Sequence, residues 1–173
     1  MTDYPRERCF SWEDPRELAR AVLTRENHAW MRELLEGTFP AAPVAELVGM
    51  FPESTEDGSI AFAMHAEEWM ANPAGVVHGG MAGTLLDTVL TLCVIAKLPA
   101  GKTCTTLNLN VTFVRPLFPT GERVVARGTV VHIGKSVATS EARLHDARNR
   151  LIAHAAATLA IIDSAAILKT INH

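Results

Sequence analysis

The stretch NPAGVVHGGMAGTLLDTVLTLCVIAKL, residues 72–98, constrains the fold more than any other part of the chain, because between Asn72 and Lys97 it carries one ionised side chain, Asp87. Leu85, Leu86, Val89, Leu90, Leu92, Cys93 and Val94 run round the whole circumference of a helix that starts near Gly79-Gly80. A helix apolar on nearly every side needs more than a flat contact to bury it. Residues 81–98 approach a membrane span in hydropathy, but Asp87 lies near the middle and Thr88, Thr91 and Lys97 interrupt it. A buried helix, with no membrane partner, is the expectation.

The flanking sequence supplies the cover. Leu107, Leu109, Val111 and Phe113 alternate with Asn108, Asn110 and Thr112, a strand pattern ended by Pro116 and Pro119. Three further strand-like stretches follow, ERVVARGTVVHIG, KSVATSEARLHDA and RLIAHAAATLAIID, divided by Gly134-Lys135 and by DARNR as in antiparallel hairpins. The last is rich in alanine, yet Leu151, Ala153, Ala155, Ala157, Leu159 and Ile161 share a face at period two, so it reads as strand. Ala138, Ser140 and Ala142, with Ala153, Ala155 and Ala157, would let the sheet come close to the helix. Upstream, VAELVGMF (44–51) and SIAFAMH (59–65) read as a hairpin around PESTEDG. EDPRELARAVLTRENHAWMRELLEG reads as one amphipathic helix, capped at Asp14-Pro15 and ended by Gly37. The expected fold is α+β, a curved antiparallel sheet wrapped around one long central helix, with an extra N-terminal helix. In chain order this gives an N-terminal extension over 1–43, a core domain over 44–163 and a tail over 164–173.

Charge and cysteine usage exclude several functions. The net charge of −3, without any Lys/Arg run, argues against a nucleic-acid partner. Cys9, Cys93 and Cys104 are odd in number and lack CxxC spacing, which fits a reducing cytoplasm. The N-terminal residues lack the apolar core of a secretory signal. The seven histidines show neither HxH nor HExxH spacing, so no metal is expected. GTVVHIGKS falls short of a phosphate loop, since Thr129 stands where the first glycine is needed. No GxSxG elbow occurs.

NPAGVVHGGMAGTLLDT, the downstream LNVTFVRP and the turn HIGKS, in this order of elements, resemble the hot-dog-fold acyl-CoA thioesterases of the phenylacetic-acid-degradation type, over roughly residues 44–163. The resemblance implies metal-free hydrolysis of acyl-CoA to free acid and CoA, with CoA as part of the substrate and no other cofactor. It also implies a homodimer or homotetramer with sites at the dimer interface. Residue by residue, it makes Gly79 the backbone donor to the thioester oxygen and Asp87 the nucleophile or general base. Asn72 and His78 flank that site. Thr106 matches a water-orienting serine of some relatives if one residue is inserted before it.

Physical reasoning weighs each assignment. Unpaired N–H groups at a glycine helix start can stabilise an oxyanion, or Gly79-Gly80 can be a tight turn only. Asp87 follows Gly79 by eight residues, about 12 Å along a helix at ~1.5 Å per residue. One chain therefore cannot readily bring both to one thioester, and a two-fold dimer with two shared sites is expected. Otherwise Asp87 is a structural acid at the interface. His78 is expected to orient the loop or the carbonyl, and Asn72 to do so or to stabilise a turn with Pro73. Strict alternation puts Thr106 on the polar face, so only a bulge could turn it inward. Lys135 and Arg115 are candidates for CoA phosphates or plain surface charge. Leu86, Leu90 and Phe113 are candidates for an acyl pocket or for core. Two rival functions share the fold, a thioester-binding sensor without turnover and an acyl-thioester dehydratase. The acyl group is left open.

Overall fold

The computed structural model describes residues 6–56 and 59–171. The Asp57-Gly58 turn expected in the first hairpin lies outside the described residues. The elements are α1 (Pro15–Thr24), α2 (Asn27–Leu35), α3 (Pro43–Val48), β1 (Met50–Glu56), β2 (Ser59–His65), α4 (Gly79–Ile95), β3 (Lys102–Phe113), β4 (Arg123–Ile133), β5 (Val137–His145), β6 (Leu151–Asp163) and α5 (Ser164–Ile171). The strands form one sheet in the order β1-β2-β4-β5-β6-β3, antiparallel throughout. α4 touches every strand from β2 to β6, so the sheet curves around it as expected. Leu85, Leu86, Val89, Leu90, Cys93 and Val94 are fully buried there. No helix among the described residues is long and apolar enough to cross a membrane.

Close approach of helix and sheet rests on small residues lying in rows. Gly128, Ala142 and Ala155 stand side by side on β4, β5 and β6, and a Cβ at Gly128 would lie 2.4 Å from the Val89 carbonyl oxygen. In the next row Ser140 is buried and donates its hydroxyl to the Leu90 carbonyl at 2.9 Å. The alanines and serine were legible as a small-residue face; Gly128 was not, because a glycine inside a strand has several explanations.

Three expectations need correction. The N-terminal helix is two helices, since Arg25 and Glu26 take extended backbone. Asn27 is buried and donates to the carbonyls of Leu98 (3.1 Å) and Lys102 (3.3 Å), which pins the start of α2 to the end of α4. The first strand does not begin at 44: Pro43 opens a helical turn and Gly49, with φ +71°, ends it, so pairing starts at Met50. On β3 the alternation breaks at Leu107, which has no partner on β6 between Thr106↔Leu159 and Asn108↔Thr158. This bulge leaves Leu107 63% exposed and puts Thr106 on the same face as Leu109 and Val111. Residues 164–171 of the C-terminal stretch form α5, which lies along α1.

Gly128→Ala is expected to destabilise the fold by at least about 2 kcal/mol, because the added methyl meets helix backbone that cannot rotate away. A urea midpoint within error of the parent would show that α4 and β4 separate freely.

Candidate functional site

The loop entering α4 is built on Asn72. Its Oδ1 accepts from the amides of Ala74 (2.9 Å) and Val76 (3.3 Å), and its own amide donates to the Val76 carbonyl at 2.8 Å. The chain then reaches His78, whose amide donates to Met70 at 2.8 Å. The His78 ring caps the helix, its Nδ1 accepting from the Gly80 amide at 2.9 Å, an assignment that leaves the ring proton on Nε2. Met81 donates to the His78 carbonyl. The Gly79 amide has no acceptor among the described residues and sits at the positive end of a 17-residue helix. The Phe113 ring lies so close over Gly79 that a Cβ there would be 3.0 Å from its Cζ. Asn72, Gly79, Phe113 and Arg115 line one cavity of about 400 Å³. Arg115 donates to the Leu151 carbonyl at 2.6 Å.

Two turns along α4, half-buried Asp87 meets the bulge. Thr106 Oγ1 donates to Asp87 Oδ1 at 2.9 Å and lies 3.3 Å from Thr91 Oγ1. No described residue donates to Oδ2. In the sequence Thr91 stands out only as a polar break in the apolar run, although its place four residues after Asp87 puts it on the same helix face. Asp87 opens into a second cavity, of about 310 Å³, lined by α4, β1, β2 and the N-terminal helices. Burial, with Cys93 and Asp87 close by, pushes the Cys104 thiol up to about 12, so it stays protonated and is no nucleophile.

The sequence-derived residues thus divide into two groups. Asn72, His78, Gly79 and Arg115 stand where Phe113 pairs with Ala153. Asp87 and Thr106 stand where Thr106 pairs with Leu159, about 20 Å along the strand at ~3.3 Å per residue. Lys135, exposed in the turn between β4 and β5, lies at this second end, three residues before Ala138, the neighbour of Leu159. Of the acyl-pocket candidates, Leu86 and Leu90 are core, while Phe113 faces the Gly79 cavity. Among the described residues no three His, Cys, Asp or Glu side chains are grouped to hold a metal ion.

Comparison with known proteins follows the same span. The thioesterase superfamily profile matches residues 74–153. The acyl-coenzyme A thioesterase 13 of Homo sapiens is 28% identical over 125 residues, 71% of this chain and 88% of that protein. A Haemophilus influenzae protein bearing the name esterase is 30% identical over 91 residues, 53% of this chain; the chain spans 64% of that relative, under two thirds of its length. A solved phenylacetic acid degradation-related protein from Ralstonia eutropha JMP134 superposes with a TM-score of 0.68 at 32% identity, covering 76% of this chain and 98% of that one.

Asn72→Ala removes the acceptor of two amides and is expected to cost about 1–3 kcal/mol in urea denaturation, while Asn72→Asp keeps the oxygen and most of the stability. Equal losses in both variants would take the loop-forming role away from Oδ1.

Proposed function

We propose that this chain, which belongs to the thioesterase superfamily, hydrolyses acyl-CoA thioesters without a metal, at sites shared between two copies of itself. The observation that carries the reading is the division of α4: an unclaimed amide at Gly79 and, eight residues on, a carboxylate held by one oxygen. Attack on a thioester carbonyl creates an oxyanion, and a preorganised N–H at a helix start stabilises that charge. Thr106 fixes Asp87 through Oδ1, so Oδ2 is the atom that attacks the carbonyl carbon or takes the proton of an attacking water. When water attacks, the carbon–sulfur bond of the tetrahedral intermediate breaks and the Asp87 carboxyl passes the proton it took to the departing CoA sulfur. When Oδ2 attacks, the same bond breaks to leave a mixed anhydride with Asp87. Water hydrolyses that anhydride to the free acid, restoring the carboxylate and supplying the proton with which CoA leaves as its thiol.

The amide and the acid are too far apart within one chain to act on one carbonyl. A two-fold dimer brings the Gly79 end of one copy to the Asp87 end of the other and makes two equivalent sites. Phe113 on the edge strand β3 is half exposed and Leu107 more so, which suits that strand to meet its own copy; pairing of dimers would give a tetramer. His78 and Asn72 shape the loop that presents Gly79. Arg115 and Lys135 are the cations offered to CoA phosphates, one from each end of the sheet. The acyl-CoA substrate is supported by the name and 88% coverage of the human relative. Three unpaired cysteines, two of them buried, suit a reducing cytoplasmic setting.

Asp87→Asn is expected to fold normally and to lose at least about a hundredfold in thiol release from acyl-CoA; a loss below tenfold would remove Asp87 from the chemistry. Mixed dimers of Asp87→Asn with Gly79→Val, once the latter is shown to fold, should regain up to about half of the parent activity, because one site in each then has both parts intact. Mixed dimers as inactive as either parent variant would end the shared-site reading.

Thr106 gives a sharper test of how the acid is held. Thr106→Val should lower kcat about tenfold or more with KM little changed, and Thr106→Ser should restore most of it. Equal kcat in the valine variant would show that the Thr106 hydroxyl does not orient Asp87.

A further inference from the structure

The cavity that opens at Asp87 is roofed by the N-terminal extension. α4 and the β1-β2 hairpin make its floor; Leu18 and Val22 of α1, Trp30 and Leu34 of α2, and Phe39 make its roof. This roof is tied down at several points. Asn27 holds α2 to the carbonyls of Leu98 and Lys102, Trp30 is buried with its ring 6.0 Å from that of Phe39, and α1 lies along α5. The polar side chains on the cavity wall are Asp87, Thr88 and Thr91 of α4, with Trp30, whose indole N–H is buried without a hydrogen-bond partner among the described residues, and no basic side chain lines it. The Thr88 hydroxyl is already spent on the Thr84 carbonyl at 2.9 Å. Thr91 is paired with Thr106, so beyond the acid the cavity offers mainly apolar surface, and an acyl group ending in a carboxylate would be buried near Asp87 with no cation to pair it.

Resting on the hydrolase reading above, we infer that α1 and α2 are the acyl-chain gauge of this protein: the cavity takes an uncharged acyl group and the helices set its length. An apolar cavity of about 150 Å³ holds one benzene. A volume of about 310 Å³ accordingly accepts roughly twice that many heavy atoms, which corresponds to acyl groups of about eight to twelve carbons. Leu18, Val22 and Leu34 are the side chains that stop the far end, since they belong to the roof and not to the wall beside Asp87.

The test measures hydrolysis of butyryl-, octanoyl-, decanoyl-, tetradecanoyl- and succinyl-CoA by the full chain, and in parallel the binding of S-butyl- and S-decyl-CoA, thioethers that cannot be cleaved. Efficiency should rise by about fourfold per methylene toward the medium lengths, the equivalent of ~0.8 kcal/mol for each buried methylene, and then stop rising. Succinyl-CoA should be at least about a hundredfold poorer than butyryl-CoA. Val22→Trp, which fills the cavity, should lower the decanoyl to butyryl ratio at least about tenfold; Leu34→Ala, which enlarges it, should raise the tetradecanoyl to decanoyl ratio about fivefold or more. Should the tryptophan variant not fold, the alanine variant decides alone. Cleavage without length preference, or ratios unmoved by either substitution, overturns the gauge and leaves the hydrolase reading standing. Tighter binding of the decyl than of the butyl thioether, lost in Val22→Trp, but without cleavage of any thioester, supports the gauge and overturns the hydrolase reading. Neither cleavage nor binding overturns both.

Discussion

Backbone contact between α4 and β4 is the constraint on which the rest depends. The Val89 carbonyl sits where any side chain at Gly128 would be, and beside it the Leu90 carbonyl takes the Ser140 hydroxyl. A helix held this close leaves no gap for water, so its apolar circumference must be covered by bending the sheet around it. Gly128, Ala142 and Ala155 form the valley in which the helix lies, and the larger side chains at the flanks of the rows make the curl. Burial of this one helix stands in for the two apolar layers of an ordinary sandwich.

The same burial sets where chemistry can occur. Most of α4 is closed, and polar groups survive at two places: the Gly79 amide at its start and Asp87 at its midpoint, on the face turned to the edge strand β3. Each place has its own device for presenting a polar group. At the start, His78 takes the Gly80 amide for its ring and leaves the Gly79 amide unclaimed. Further on, one inserted residue in β3 turns Thr106 toward the acid. Neither device would be stable in a mobile loop. Both borrow rigidity from the helix they serve, and the distance between them makes a second copy of the chain part of the proposed site.

The N-terminal extension adds a layer over β1 and β2. α1 exposes most of its surface and buries no residue fully, so it would be a poor helix alone; Asn27 and the break at Arg25-Glu26 fold it back over the cavity above Asp87. A helix continued straight through residues 15–35 would have carried Trp30 and Leu34 elsewhere. The division into two short helices is thus what places Trp30 and Leu34 on the cavity wall.

The sequence by itself determined the central helix and the strands that follow it, and singled out Asp87, because period, turn signals and isolated polarity in an apolar run are local properties. It also fixed the eight-residue separation of Gly79 and Asp87. Asn72, His78 and Gly79 entered through the family resemblance of the NPAGVVHGG stretch, and Arg115 as a cation beside the strand that ends at Pro116. Tertiary structure decided the rest. Thr106 faces Asp87 only because β3 slips by one residue against β6, and a slip is invisible until the partner strand is in place. Pro43 and Gly49 turned an apparent strand into α3, a competition between local start and stop signals and an ambiguous apolar run. Thr91 and the roof formed by Leu18, Val22, Trp30 and Leu34 gain their meaning from neighbours distant in the chain. Local patterns state what each segment prefers, while the pairing register and the placing of one layer on another depend on contacts that no single segment contains.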